Sequence, residues 1–174
     1  PLKSSLITLL GPLHEHLAEE ALARYRERFG SMGLFENIVY PGIERTLDEL
    51  QSSGYSLSVA TAKPTVFAER IIQHFSLRKY FHTVDGSELD GTRSDKASLI
   101  AHILKREGFD PSRVVMIGDR EHDMLGARQN GVTGLGVLWG YGTREELEAA
   151  SAYACAAAPC DLVALVNRMP SKLN

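Results

Sequence analysis

Cysteine is nearly absent: the 174 residues contain two, Cys155 and Cys160. Two thiols cannot build a disulfide framework. No further Cys or His stands near them at zinc spacing, so both read as small apolar side chains in an Ala-rich segment. Long apolar runs are absent too. None approaches the roughly 18–20 residues that span a bilayer, and the N-terminus has no basic stretch followed by an apolar one and a small-residue cleavage site. Excess charge of either sign is also missing. With 19 Lys and Arg against 22 Asp and Glu, the net charge is −3. That gives no general attraction to nucleic acid or anionic membranes, and no run of like charges forms an interaction tail. What is present is an ordinary globular composition, 44% hydrophobic and 24% charged, sufficient for one main core with a small appendage. The expectation is a cytoplasmic monomer or homodimer without nucleic-acid or membrane partners.

The first thirty or so residues differ from the rest. After Gly11-Pro12, the residues Leu13, Leu17, Ala21, Leu22, Tyr25 and Phe29 recur at helical spacing with charges between them, and Gly30 ends the pattern. His14 and His16 point to different sides of such a helix, so they read as solvated and not as a metal pair. From Tyr40 onward helical and strand patterns alternate. Helices are expected over 42–53, 66–75, 95–107, 123–130 and 161–168, with a further one starting after Thr143, which has Glu146 three residues on as a capping box. Strands are expected at 55–61, 81–84, 114–117 and 133–138. This alternation predicts an α/β fold, a Rossmann-like parallel sheet with helices on both faces.

Ligands bind open parallel sheets outside the carboxyl ends of the strands. Strand 55–60 ends in Thr61-Ala62-Lys63. Strand 114–117 ends in Gly118-Asp119, with Asp123 one turn further, and Lys96 opens the helix after the Gly-rich loop. A hydroxyl with backbone N–H groups beside it, an ammonium and two carboxylates are what a phosphoryl group and its Mg²⁺ require: positive charge and N–H donors for the phosphate oxygens, oxygen ligands for the hard cation. Each element alone is weak; their joint placement is what points to a phosphate–magnesium site.

On these residues the chain resembles the haloacid dehalogenase (HAD) superfamily, in its phosphoglycolate phosphatase-like branch with a helical cap. L-S-V-A-T-A-K-P is similar to the second motif of that superfamily, S-D-K-A-S-L-I to the third, and V-V-M-I-G-D-R-E-H-D to the fourth, G-D-x-x-x-D. The resemblance implies a Mg²⁺-dependent phosphatase for a small phosphorylated metabolite such as phosphoglycolate. Thr61 and Lys96 would serve the phosphoryl oxygens, with the backbone of Ala62 and Lys63 donating to phosphate. Asp119 would ligate the metal and Asp123 support it. It further implies a cap remnant over 1–38 and an α/β core over 39–174. A 5′-nucleotidase or other phosphatase of the branch, and a phosphate-binding pseudoenzyme, are the alternatives; a dehalogenase fits less well, because that reaction needs no metal-site carboxylates.

One part of the resembled pattern does not occur. The first motif, D-x-D-G-T at the end of a central strand, carries the nucleophilic aspartate, whose attack on phosphorus gives an aspartyl-phosphate that water hydrolyses. Only E-L-D-G-T at 88–92 is reminiscent of it, with Glu88 at the nucleophile position and no buried strand before it. The first central strand is therefore expected to be absent from these residues, the nucleophile to lie outside them, and the chain to be inactive as it stands. A slot should then lie open between strands 56–61 and 114–118. The apolar stretch 5–11 could substitute as a strand or begin a cap helix; the slot reading favours the helix.

Overall fold

The computed structural model describes residues 2–169. The chain opens with helix α1 (Leu2–Leu10), a single 3-10 turn at Glu15–Leu17, and α2 (Ala18–Ser31). Residues 5–10 are thus helical and supply no substitute strand. The second helix begins five residues later than its spacing suggests, because Gly11 takes a left-handed φ of +69° and Pro12 follows, which ends α1 and delays a restart. α3 (Ile43–Ser52) leads into β1 (Ser58–Pro64), α4 (Thr65–His74), β2 (Thr83–Ser87) and α5 (Lys96–Glu107). Then come β3 (Val115–Gly118), α6 (Glu121–Gln129), β4 (Thr133–Val137), α7 (Arg144–Ala149), β5 (Ala154–Ala156) and α8 (Asp161–Asn167). Three-residue β5 lies inside the Ala-rich stretch, where nothing in the spacing marks a strand.

α2 packs on the core through Phe29, edge to face with Phe67 of α4 at 5.6 Å, and through Arg70, which donates to the Gly30 carbonyl at 2.7 Å. β1 pairs parallel with β2, and β3 pairs parallel with β4, which pairs with β5. Each parallel pair is connected through a crossing helix, as parallel strands must be. β3 shows why its sequence is an unbroken apolar run. Val115 and Ile117 pack with Leu50 of α3 and Val166 of α8 on one face, while Val114 and Met116 pack with Ile100, Leu104 and Ala127 of α5 and α6 on the other. A strand covered on both sides has no polar face to display.

The two sheets do not join. β1 and β3 belong to separate ladders among the described residues. Between them lies a cavity of about 530 Å³, walled by Tyr55–Ser58 and Ala60 on one side and Val114–Ile117 on the other. Ile100 and Leu104 of α5, and Leu50 and Val166 of α3 and α8, close its two faces. The expected slot is therefore open, with the width-wise edges of two parallel sheets facing across it. No helix among the described residues is long and apolar enough to cross a membrane.

Candidate functional site

The carboxyl ends of β1 and β3 emerge on either side of this cavity. On the β1 side, the register with β2 matches Ser58 to Thr83 and Ala60 to Asp85 but breaks before Pro64 pairs with Ser87. Thr61, Ala62 and Lys63 fall in that break, as in a β-bulge, which frees a short arc of backbone from the ladder. The arc is braced from β2. Ser87 Oγ donates to the Ala62 carbonyl at 3.0 Å, and Gly86 N–H donates to Thr65 Oγ1 at 3.0 Å. Within the arc, Lys63 N–H donates to Thr61 Oγ1 at 3.2 Å. The Lys63 ammonium lies over the Phe29 ring, 5.3 Å from its centroid, a cation–π contact with α2.

On the β3 side, α6 starts at Glu121, two residues before the position expected from the spacing. Asp123 is its third residue, not its first: one carboxylate oxygen accepts the Arg120 N–H at 3.2 Å, and the Asp123 N–H donates to the Arg120 carbonyl at 3.0 Å, which ties the helix start to its N-cap. Gly118 is required by this arrangement. A Cβ there would overlap the Asp123 carboxylate, so the glycine of G-D-x-x-x-D makes room for its second aspartate.

Lys96 joins the two sides. Its ammonium donates to the Ala60 carbonyl of β1 at 2.8 Å and pairs with Asp123 Oδ1 at 2.9 Å. Both side chains are buried, 12% and 9% exposed. Lys96, expected to serve phosphoryl oxygens, is thus also packed and paired within the protein. Its stem runs against α6 where Gly126 leaves space, and its charge is matched by a buried carboxylate. The partner lies 27 positions away, and no local spacing could disclose it.

Asp119 is held from a different direction. Its Oδ2 accepts the Tyr141 N–H at 2.8 Å, and Oδ1 accepts no hydrogen bond from the described residues. Gly140 and Gly142 flank that contact, and a Cβ on either would run into Asp119 itself. Glu146 completes the frame. Its Oε1 accepts from Arg120 Nε at 2.8 Å and from Glu121 N–H at 2.9 Å, and these bonds hold its carboxyl below the usual carboxylate range. The capping box read at Thr143 forms by half: Thr143 Oγ1 accepts the Glu146 N–H at 3.2 Å, while the Glu146 side chain turns to the acidic loop. Sequence reasoning found the residue and missed that use of it.

The donors are all oxygen, which suits a hard dication such as Mg²⁺. Asp119 has a free carboxylate oxygen for it, whereas both oxygens of Asp123 are engaged. Among the described residues no three His, Cys, Asp or Glu side chains converge as a complete ligand set. His14 and His16 are exposed, Cys155 packs among apolar neighbours, and Cys160 is exposed, against its reading as a packed small hydrophobe.

Comparison with known proteins adds the following. The family model described as haloacid dehalogenase-like hydrolase matches residues 3–137. A 5′-nucleotidase of Pseudomonas aeruginosa is 50% identical over 78% of this chain and 61% of its own length. The tyrosine-protein kinase PtkA of Mycobacterium tuberculosis is 36% identical over 80% of this chain and 51% of its own. A haloacid dehalogenase-like hydrolase structure from Streptococcus pneumoniae superposes with a TM-score of 0.87 at 31% identity, covering 95% of this chain and 76% of that one. The chain thus spans between half and two thirds of the length of these curated relatives.

Proposed function

The chain belongs to the haloacid dehalogenase-like hydrolases, and from that premise we propose that its residues form most of the site of a Mg²⁺-dependent phosphomonoesterase acting in the cytoplasm on a small phosphorylated metabolite. The observation that carries the reading is Lys96, whose ammonium lies between the carboxyl ends of β1 and β3 with Ala60 on one side and Asp123 on the other. A phosphoryl group at the mouth of the cavity would meet Thr61, the backbone of Ala62 and Lys63, and this ammonium. Developing charge on its oxygens would be stabilised there without reorganisation. Asp119 would hold Mg²⁺, with Asp123 supporting the loop from beneath; the ion would neutralise phosphate charge.

The attacking carboxylate would come from a parallel strand occupying the cavity. Its flanks fit such a strand: two facing sheet edges, and apolar side chains above and below. In the first step a carboxylate oxygen bonds to phosphorus as the ester P–O bond breaks and the leaving oxygen takes a proton; in the second, water releases phosphate. Phosphoglycolate and a nucleoside 5′-monophosphate are the substrates to try first, the latter because of the name of the Pseudomonas relative.

The test is phosphate release from both substrates by the complete gene product, with and without EDTA, beside Asp119→Asn. Release that needs Mg²⁺ and disappears in the variant supports the reading. Release insensitive to EDTA and to the substitution overturns it. Tight phosphate binding with no turnover would instead make the protein a phosphate-binding module.

A further inference from the structure

The acidic loop holds itself only in part, through the Asp123 carboxylate on the Arg120 N–H. Asp119 lies where β3 stops, and only Arg120 separates it from the first residue of α6, Glu121. The loop's other fixing groups come from more than twenty residues downstream. Tyr141 N–H holds the Asp119 carboxylate, Gly140 and Gly142 let the 140–142 backbone lie against Asp119, and Glu146 takes the Glu121 N–H and the Arg120 guanidinium. Glu146 itself stands on firm ground. The next residue, Leu147, is fully buried among Met124 and Ala150, and Thr143 caps the helix through the Glu146 N–H.

We propose that Glu146 is a positioning residue for the metal site, acting on Asp119 through the Glu121 backbone N–H that it accepts. The inference rests on the phosphatase–magnesium reading above and extends it to a residue with no contact to metal or substrate. A loop carrying Arg120, Glu121 and Asp119 in sequence has several ways to turn, and only those that aim Asp119 Oδ1 outward serve a cation. Glu146 selects the turn by giving the Glu121 N–H an acceptor in one place. Neighbours of this kind, bonded to the ligand's own segment, commonly change metal affinity by ~10–100-fold when removed.

The experiment is Mg²⁺ titration of the complete gene product by calorimetry, followed by turnover at saturating Mg²⁺. Glu146→Ala should weaken Mg²⁺ binding by about tenfold while turnover at saturating metal stays near that of the wild type. Glu146→Gln, which keeps a carbonyl oxygen for the Glu121 N–H, should recover most of the affinity. Arg120→Ala should bind Mg²⁺ nearly as the wild type does, because the backbone bond survives. Unchanged affinity in Glu146→Ala overturns the role, and so does a Gln variant as weak as the Ala variant. A general loss of structure would lower melting temperature in both variants without the Gln rescue, and is also counter to the proposal. A wild-type protein that binds no Mg²⁺ overturns the metal reading itself, a different result from wild-type binding that Glu146→Ala leaves untouched.

Discussion

Replacing Lys96 by Met keeps the length of the side chain and removes the charge. The Met stem can still lie along Gly126, so packing is largely retained, and the loss is electrostatic. Asp123 is then a carboxylate with 9% exposure whose remaining partner among the described residues is the Arg120 N–H. Removing one partner of a buried pair costs about 3–5 kcal/mol, because the other charge stays desolvated. The Ala60 carbonyl also loses its donor, which adds about 1 kcal/mol where water cannot replace it. A total near 5 kcal/mol corresponds to a fall in melting temperature of roughly 10–20 °C for a chain of this size. Asp123→Asn alone should also destabilise, since an uncharged amide leaves the Lys96 ammonium buried. The double variant Lys96→Met/Asp123→Asn should be more stable than the two single losses added together, with a coupling of about 2 kcal/mol. Urea unfolding of all four proteins at one pH measures the cycle. Additive losses, or a Lys96→Met variant within about 1 kcal/mol of the wild type, would refute the claim that this lysine is held by Asp123 as well as poised for phosphate.

Gly118→Ala should destabilise by about 1–3 kcal/mol, the usual range for overpacking, and chemical denaturation would reveal it; a neutral effect would mean that Asp123 does not sit against the β3 end. Asp85 provides a pH prediction. Burial pushes its carboxyl up, but the bonds from Arg106, one of them at 2.9 Å, outweigh this and leave it below the ordinary value. A depressed carboxyl stabilises the fold above its unfolded value of about 4, and that contribution fades as pH falls through the lower folded value. Asp85→Asn should therefore lose stability at neutral pH and show a flatter decline below about pH 4 than the wild type, as read from melting temperature against pH. Parallel curves would remove Asp85 from the acid transition.

How far the sequence reached depended on whether a feature is local. Helix caps and strand ends are set by neighbours a few residues away. The start of α5 after Asp95 and the helix over 43–52 were therefore legible from spacing. Asp95 indeed accepts the Ser98 N–H at 2.8 Å. β1 was read three residues too early because Tyr55 and Leu57 are apolar and alternate like strand residues; they serve the core before the ladder with β2 begins. Motif spacing singles out Thr61, Lys96, Asp119 and Asp123 as candidates. The same spacing could not say that Lys96 and Asp123 would meet, that Lys63 would turn to Phe29, or that Glu146 would reach the acidic loop. Those contacts span 27, 34 and 25 positions, and the fold, not the local chain, creates them.

The loop over Asp119 divides its three residues unequally. Gly140 and Gly142 have no room for a side chain, while Tyr141 between them gives the site only its backbone N–H and leaves its ring 87% exposed. Position 141 therefore accepts a foreign side chain without changing what Asp119 receives. A cysteine placed there and labelled with a fluorophore or a nitroxide would stand beside the proposed cation site on a backbone bonded to Asp119 itself. It would turn this loop into a fixed observation post from which the arrival of metal, phosphate or a strand in the cavity can be watched.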